Sequence, residues 1–221
     1  MVRISGIGLI NACKVATAAS IAAFAFAFKG GRTALRGPLY VALHGSYLGW
    51  WFVHQRLSPT WGPTVFPTSD MPIPAVALVF LAIGPGYALP GFFAFRSTRE
   101  VGAAELVGSI ALFAWGSLLN CAGDFYKDGA KSAKPGATVM TGPFRLARHI
   151  SWFGDWMRYA SFTLASGAAL SNPLAYLPLA FTMTLNLSSL AQRREGQAKR
   201  GAAAQKYIAS TPAVVPVRLL F

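Results

Sequence analysis

Apolar residues occur along the chain in six long blocks, and short basic segments separate them. The blocks cover residues 4–28, 37–55, 71–95, 101–123, 151–170 and 173–190. A helix needs roughly 20 consecutive apolar residues to cross a bilayer, and most of the blocks approach that length. Buried helices of a soluble protein would show polar positions at a period of 3.6 residues, which these blocks largely lack. The pattern therefore predicts an all-α, polytopic integral membrane protein with about six transmembrane helices.

Two features modify this simple picture. The third block carries helix-breaking residues at Pro72, Pro74, Gly84, Pro85, Gly86, Pro90 and Gly91. We therefore expect the third span to kink or break. After the last block the chain becomes polar, and residues 202–208 predict a helix that lies on the membrane surface before Pro212 and Pro216 end it.

Charge gives the predicted orientation in the membrane. The chain has a formal net charge of +13, but its basic residues lie mainly in the connections between apolar blocks. The positive-inside rule places them there, so we reject nucleic-acid binding as the reason for the charge. The N-terminus, the 56–71 loop, the 124–150 loop and the C-terminal tail hold most of the Lys and Arg. We expect both termini in the cytosol, and the protein in the endoplasmic reticulum of a eukaryote or the inner membrane of a bacterium.

Isolated polar residues within the blocks suggest packing rather than chemistry. Cys13 and Cys121 lie far apart in two blocks, which favours neither a disulfide nor a metal site. His44 lies in the middle of the second block, where we expect it to hydrogen-bond within the protein. Asn120 is expected to bond between helices.

The fifth block begins with a polar face. In a helix that starts near Arg148, the residues Arg148, Trp152, Asp155 and Tyr159 recur at i, i+4, i+7 and i+11 and share one side. Charge at bilayer depth is unfavourable, so this side needs a cavity or an internal partner. Arg158 lies within salt-bridge reach of Asp155, and both a ligand site and a simple ion pair are consistent with the pattern.

Basic residues precede this face. Asp124 and Lys127 close the fourth block, and Lys131 and Lys134 follow them, ahead of Arg145 and Arg148. These cations suit the phosphates of a nucleotide cofactor. They suit anionic lipid headgroups equally well. The sequence has no glycine-rich phosphate loop of the Rossmann or P-loop type.

The same residues carry a resemblance to a known membrane superfamily. The run Gly142-Pro-Phe-Arg145-Leu-Ala-Arg148-His149, followed by Trp152-Phe-Gly154-Asp155, resembles the motif GlFRysRHPNYfGE. That motif marks the superfamily of steroid 5-alpha-reductase-like proteins and isoprenylcysteine carboxyl methyltransferases. Asp124 and Lys127 resemble the D/N-x-x-K step of the reductase-like branch, and Tyr207 with Thr211-Pro212 resembles the closing segment of the family. The chain differs from the motif at Ile150, Trp152 and Asp155, where the family has Pro, Tyr and Glu.

The resemblance covers about residues 100–221, so we divide the chain into an N-terminal three-helix region, residues 1–100, and a cofactor-binding region, residues 101–221. For the reductase-like branch it implies NADPH-dependent reduction of a carbon–carbon double bond in an apolar, lipid or sterol-like substrate reached from the membrane. The implied catalytic residues are His149, Asp155 and Tyr159. The implied cofactor-binding residues are Asp124, Lys127, Arg145, Arg148, Trp152, Arg194, Glu195 and Tyr207.

Two alternatives remain open. The methyltransferase branch implies S-adenosylmethionine as cofactor and an isoprenylcysteine or phospholipid substrate. In that case His149 and Arg148 would contact the cofactor carboxylate, and Glu195 would hold its cationic or ribose end. The third alternative is a non-catalytic membrane protein that has kept the fold. The departures at Ile150, Trp152 and Asp155 favour that reading.

Overall fold

The computed structural model describes residues 1–29, 33–59, 61–198 and 201–217, with the backbone alone described for 192–198. The described chain is mainly helical, as the apolar blocks predicted. Its helices are α1 (Gly6–Ala27), α2 (Arg36–Leu57), α3 (Trp61–Val65), α4 (Ile73–Ile83), α5 (Leu89–Arg96), α6 (Ala103–Ala133), α7 (Ile150–Ala165), α8 (Leu177–Ala198) and α9 (Ala202–Ser210). Short 3₁₀ helices cover Pro85–Ala88, Gly142–Arg145 and Pro173–Tyr176. The helix expected at residues 202–208 is present as α9.

Among the described residues, four helical segments are long and apolar enough to cross a membrane. They are Gly6–Ala27, Ile73–Arg96, Ala103–Ala133 and Pro173–Ala191. This is fewer than the six predicted spans. α2 is long enough, with 22 residues, but its polar and aromatic side chains keep its hydropathy low. α7 has 16 residues, and at 1.5 Å per residue it reaches roughly 24 Å, short of a roughly 30 Å hydrocarbon layer.

The third span is broken, as its prolines and glycines predicted. α4 ends at Ile83, a 3₁₀ turn follows, and α5 begins at Leu89. The break leaves carbonyl groups without their helical partners. The Thr17 hydroxyl of α1 lies 3.1 Å from the Ile83 carbonyl oxygen, 2.9 Å from that of Gly84 and 2.9 Å from that of Cys13 in its own helix, so its one proton can be donated across to the break. A hydroxyl from a neighbouring helix thus solvates the break in an apolar setting.

A pair of short strands was not expected from the sequence. β1 (Val2–Ile4) and β2 (Ser69–Met71) run antiparallel, with Arg3 opposite Asp70. Strands of three residues are too short for an alternating pattern to stand out beside long helical blocks. Their pairing holds the residues before α1 against the residues before α4.

The chain divides into two compact units. Unit 1 comprises residues 1–110 and 160–178, and unit 2 comprises residues 111–159 and 179–221. Unit 1 is fixed by Arg36, which is fully buried and donates to the Glu105 carboxylate and to the carbonyls of Arg99, Glu100 and Ala165. The division into regions 1–100 and 101–221 was drawn from the extent of the motif resemblance, and it stays a prediction.

Candidate functional site

The candidate site lies in unit 2, where α6 and the first part of α7 pack closely. A Cβ added at Gly154 would lie 2.5 Å from the Gly116 carbonyl oxygen and 2.6 Å from the Asn120 nitrogen. Glycine at 116 and 154 is therefore what lets the two backbones approach. The Asn120 side chain donates to the Ser151 carbonyl at 3.1 Å, which is the bond between helices expected for Asn120.

This close packing brings together the acidic residues of the motif segments. The Asp124 carboxylate lies near the Ser151 side chain, and the charges of Lys127, Asp155 and Arg158 act on it. Arg158, which is buried, forms an ion pair with Asp155 one turn away. Of the two possibilities that the sequence left open for Asp155, a ligand site and an ion pair with Arg158, the ion pair is present.

The segment before α7 forms a tight turn over α6. Gly142 has a φ of +57°, a left-handed conformation that glycine adopts without strain. A Cβ at Gly142 would lie 2.6 Å from the Tyr126 ring, so glycine is also needed for space. The Tyr126 hydroxyl shares a 2.7 Å hydrogen bond with Thr141. These contacts place the 3₁₀ turn Gly142–Arg145 beside the end of α6.

The C-terminal tail of the described chain docks on this turn through its backbone. The amides of Arg148 and His149 donate to the carbonyls of Pro212 and Ala213, each at 2.9 Å. The Nε of Arg148 donates to the Thr211 carbonyl at 3.1 Å. Three hydrogen bonds thus tie the residues after α9 to the start of α7.

α9 adds a side-chain anchor. The Tyr207 hydroxyl donates to the Phe144 carbonyl at 2.7 Å, and its ring packs on the buried cluster of Phe144, Ala147 and Ile150. Burial raises the pKa of Tyr207 above its ordinary value, while the positive charge of Arg148 acts in the opposite direction. The phenol therefore stays protonated at neutral pH and keeps donating this bond.

The turn and the tail together line an open pocket of about 680 Å³. Its walls are Met140, Gly142, Pro143, Arg145, Leu146, Tyr207 and Thr211. Of these lining residues Arg145 carries a charge, and its side chain is exposed. The volume falls within the roughly 300–1,000 Å³ typical of small-molecule sites. An arginine above apolar walls suits a ligand with an anionic group and an apolar or aromatic part.

The other predicted site residues are not among the residues that line this pocket. The His149 and Trp152 rings stack, with centroids 4.0 Å apart and planes 17° from parallel. Tyr159 is buried at 5% exposure. The pocket walls include neither of these rings, nor Tyr159, nor Asp155. Arg194 and Glu195 belong to α8, but their side chains lie outside the described residues.

Sequence reasoning did not find several residues that shape the site. Ser151 lies near Asp124 and its carbonyl accepts a hydrogen bond from Asn120, and neither contact follows from the sequence alone. The sequence did not indicate that Met140 and Leu146 would line a pocket, since an apolar residue in a loop can face either the core or a ligand. Thr211 belongs to the segment that resembles the closing segment of the family. Its carbonyl accepts a hydrogen bond from Arg148 only because the tail folds back on the start of α7, which the sequence does not show.

Comparison with known proteins adds no family assignment. No protein-family model matches the chain, and no characterised protein matches it in sequence at a significant level. The superfamily resemblance therefore rests on the motif residues, and it stays a prediction.

Proposed function

We propose that the protein is a membrane-embedded oxidoreductase that uses NADPH to reduce a carbon–carbon double bond in an apolar, lipid or sterol-like substrate. The observation that carries the proposal is the convergence of separate motif segments. The turn at 142–146 and the tail at 207–211 are about 60 residues apart in the chain, and together they line one pocket. If the resemblance had arisen by chance, these two motif segments would have no reason to lie next to each other in the fold.

Arg145 and Tyr207 are the predicted cofactor-binding residues that fit the cofactor best. The guanidinium of Arg145 can hold a phosphate through paired hydrogen bonds. Tyr207 lines the pocket, and its hydroxyl oxygen, which donates to the Phe144 carbonyl, can also accept one hydrogen bond. The apolar walls from Met140, Pro143 and Leu146 suit a ring or an acyl chain. NADPH supplies a hydride when bound, and the chain must supply the proton that completes the reduction.

His149 is our candidate for that proton, and because its ring lies outside the described pocket walls, we propose that the substrate extends beyond those walls to reach it. Its ring is half-buried against Trp152, and its backbone is fixed by the bond to Ala213. A histidine changes protonation near neutral pH, which suits a proton donor. Asp155, paired with Arg158, holds the start of α7 in place in this proposal and does not take part in the proton step.

A second candidate, a non-catalytic membrane protein with the same fold, is favoured by a specific observation. Two charged residues that the resemblance assigns to the site, Arg148 to cofactor binding and Asp155 to catalysis, already have partners within the chain. Arg148 bonds the Thr211 carbonyl and Asp155 pairs with Arg158. In this case the motif residues would serve to hold the tail on unit 2.

Ligand-dependent thermal stability of the purified protein in detergent distinguishes these functions. A ligand at 100 times its dissociation constant stabilises the folded state by about 2.7 kcal/mol. In a chain of this size that raises Tm by about 5–11 °C. We expect NADPH to produce this rise, S-adenosylmethionine to produce none, and Arg145→Ala to remove it. Arg56→Ala is the matched control, because Arg56 is exposed on α2 in unit 1.

The other outcomes each assign a different function. A rise with S-adenosylmethionine alone would reject the reductase in favour of the methyltransferase. No rise with either compound would favour the non-catalytic protein.

We also propose that α2 and α7 lie within the membrane, which restores the six helices expected from the sequence. The β1–β2 pairing supports this for α2. If α1 crosses the membrane, the chain must return before residue 69 to pair with residues 2–4, and α2 is the long helix between them. Its polar residues are largely buried, so they need not face lipid.

Thiol labelling from one side of the membrane tests the crossing of α2. In a background without Cys13 and Cys121, Ala34→Cys and Thr68→Cys flank α2 at exposed positions. An impermeant thiol reagent added on one side of the membrane should label one of these two cysteines, and the same reagent added on the other side should label the other. Labelling of both from the same side would show that α2 does not cross, and would also reject the cytosolic placement of the two termini together.

A further inference from the structure

The exposed charged side chains described in unit 2 all carry the same sign. They are Lys131, Lys134, Arg145 and Lys206, and we call these four residues the basic surface. The carboxylates described in the same unit, Asp124, Asp128 and Asp155, are half-buried. In unit 1 the exposed charge is mixed, because Asp70 and Glu100 are exposed there together with basic residues. A surface with charge of one sign attracts the opposite charge, so the basic surface indicates an anionic partner.

Along α6 the exposed side changes from apolar to basic. α6 is one of the four segments that are long and apolar enough to cross a membrane, and Trp115 and Leu118 in its middle are 60% and 55% exposed. The next exposed side chain is Tyr126, a residue type enriched at the membrane–water interface. Lys131 follows Tyr126 by roughly 7.5 Å along the helix axis. A headgroup layer is about 5–8 Å thick on each side of a bilayer, so Lys131 lies at headgroup depth.

The lysines at this end of α6 differ in how the chain itself uses them. Lys127, Lys131 and Lys134 recur at i, i+4 and i+7 and share one side of the helix. Lys127 is half-buried, and its charge acts on Asp124. Lys131 and Lys134 are exposed and form no ion pair among the described residues. A lysine in the last turn also complements the helix dipole, but that effect does not explain the cations outside α6.

The other two cations of the basic surface are brought to the same end of unit 2 by packing. Gly142 begins the 3₁₀ turn that ends at Arg145, and it lies against the Tyr126 ring of α6. α9 carries Lys206 and is tied to this turn by the hydroxyl of Tyr207. The basic surface therefore gathers cations from three segments of the chain around the end of α6.

We propose that the basic surface binds the headgroups of anionic phospholipids. The transition from apolar to basic along α6 favours a lipid over other anionic partners. A phospholipid whose acyl chains lie along the apolar part of α6 presents its phosphate where the lysines begin. A nucleic acid or an acidic protein would have to approach from the aqueous side and compete with the headgroups for the same cations. Each Lys or Arg near an anionic membrane surface strengthens such binding by roughly fivefold.

Lipid binding at this surface is separate from the proposed reduction. Arg145 belongs to the basic surface and also lines the pocket, so it is left unchanged in the test. Lys131 and Lys134 are not among the residues that line the pocket. Changes at these two lysines should therefore weaken lipid binding and leave the affinity for NADPH unchanged.

Titration with a short-chain lipid tests the proposal. Dioctanoyl phosphatidylglycerol is added to the purified full-length protein in a non-ionic detergent, and Tm is followed by tryptophan fluorescence. A ligand of the folded state raises Tm, and we expect phosphatidylcholine with the same chains to need at least tenfold more lipid for the same rise. Lys131→Gln with Lys134→Gln should raise the half-saturating concentration of phosphatidylglycerol by about 25-fold. Lys131→Arg with Lys134→Arg is the matched control, because it keeps both charges and should bind as the wild type does.

Three results would overturn the proposal. Equal responses of the wild type to phosphatidylglycerol and phosphatidylcholine would do so without any variant. Equal half-saturating concentrations in the Gln and Arg double variants would show that the two lysines do not bind the headgroup. An equal rise in Tm from inorganic phosphate at the same concentration would assign the surface to a free anion.

NADPH titrated into the same preparations separates this proposal from the reductase. A wild type that binds phosphatidylglycerol and not NADPH would reject the reductase and leave the lipid result intact. Weaker NADPH binding in the Gln double variant than in the Arg double variant would place the lysines in the cofactor site and overturn their assignment to lipid.

Discussion

Gly154→Ala tests the close packing of α6 and α7 on which the candidate site depends. The added Cβ would lie 2.5 Å from the Gly116 carbonyl oxygen and 2.6 and 3.0 Å from the Asn120 nitrogen and Cα. These are backbone atoms, so no side-chain rotation relieves the contact. Ordinary van der Waals contact begins at about 3.5 Å, so the two helices would have to separate by about 1 Å to accommodate the added Cβ.

The expected loss of stability has two parts. Overpacking of this kind lowers stability by about 1–3 kcal/mol. Separation by about 1 Å also breaks the 3.1 Å bond from Asn120 to the Ser151 carbonyl, which contributes about 1 kcal/mol. Together these give about 2–4 kcal/mol, or a fall in Tm of about 4–16 °C for a chain of this size.

Thermal unfolding in detergent, followed by tryptophan fluorescence, measures this change. Gly129→Ala is the control, since Gly129 lies in α6 and a Cβ there meets nothing within 4 Å. That variant should unfold at or slightly above the wild-type temperature, because alanine favours a helix. Equal Tm values for Gly154→Ala and Gly129→Ala would refute the close packing.

Three further variants probe other contacts. Arg36→Lys keeps the charge but cannot reproduce the planar fork that binds Glu105 and three carbonyls, so it leaves buried acceptors without a donor and should destabilise the folded state by about 1–3 kcal/mol; a chemical or thermal unfolding curve that matches wild type would contradict the described network. Tyr207→Phe removes the donor to the Phe144 carbonyl, so trypsin should cleave the C-terminal tail faster, while unchanged cleavage would argue against the anchor. Thr17→Val leaves the carbonyls at the break in the third span without their hydroxyl, and should lower stability by about 1–3 kcal/mol; an unchanged Tm would show that the break needs no such donor.

The helices could largely be predicted from the sequence, because each follows from a local property. Length and apolar content indicated the four segments that could cross a membrane, and Pro85 with its neighbouring glycines indicated the break. Four described segments, against the six predicted, are long and apolar enough to cross a membrane, and the difference lies in α2 and α7. α2 could not be distinguished from a lipid-facing helix, since its polar residues are buried against partners such as Lys14 and Phe162 that are remote in the chain.

The candidate site was predicted in its segments and missed in its contacts. The motif resemblance indicated that the 142–149 turn and the Tyr207 region belong to one site. It could not indicate that Arg148 would bond the Thr211 carbonyl, because that contact depends on a backbone turn after α9. The Asp155–Arg158 pair could be foreseen from helical spacing, which is a local property.

The most direct test of the central claim is the affinity of the purified protein for NADPH, measured by isothermal titration calorimetry in detergent. We expect saturable binding by the wild type and by Arg56→Ala, and binding at least tenfold weaker in Arg145→Ala, which is a loss of about 1.4 kcal/mol or more. No saturable binding by the wild type, or equal affinity in Arg145→Ala, would contradict it.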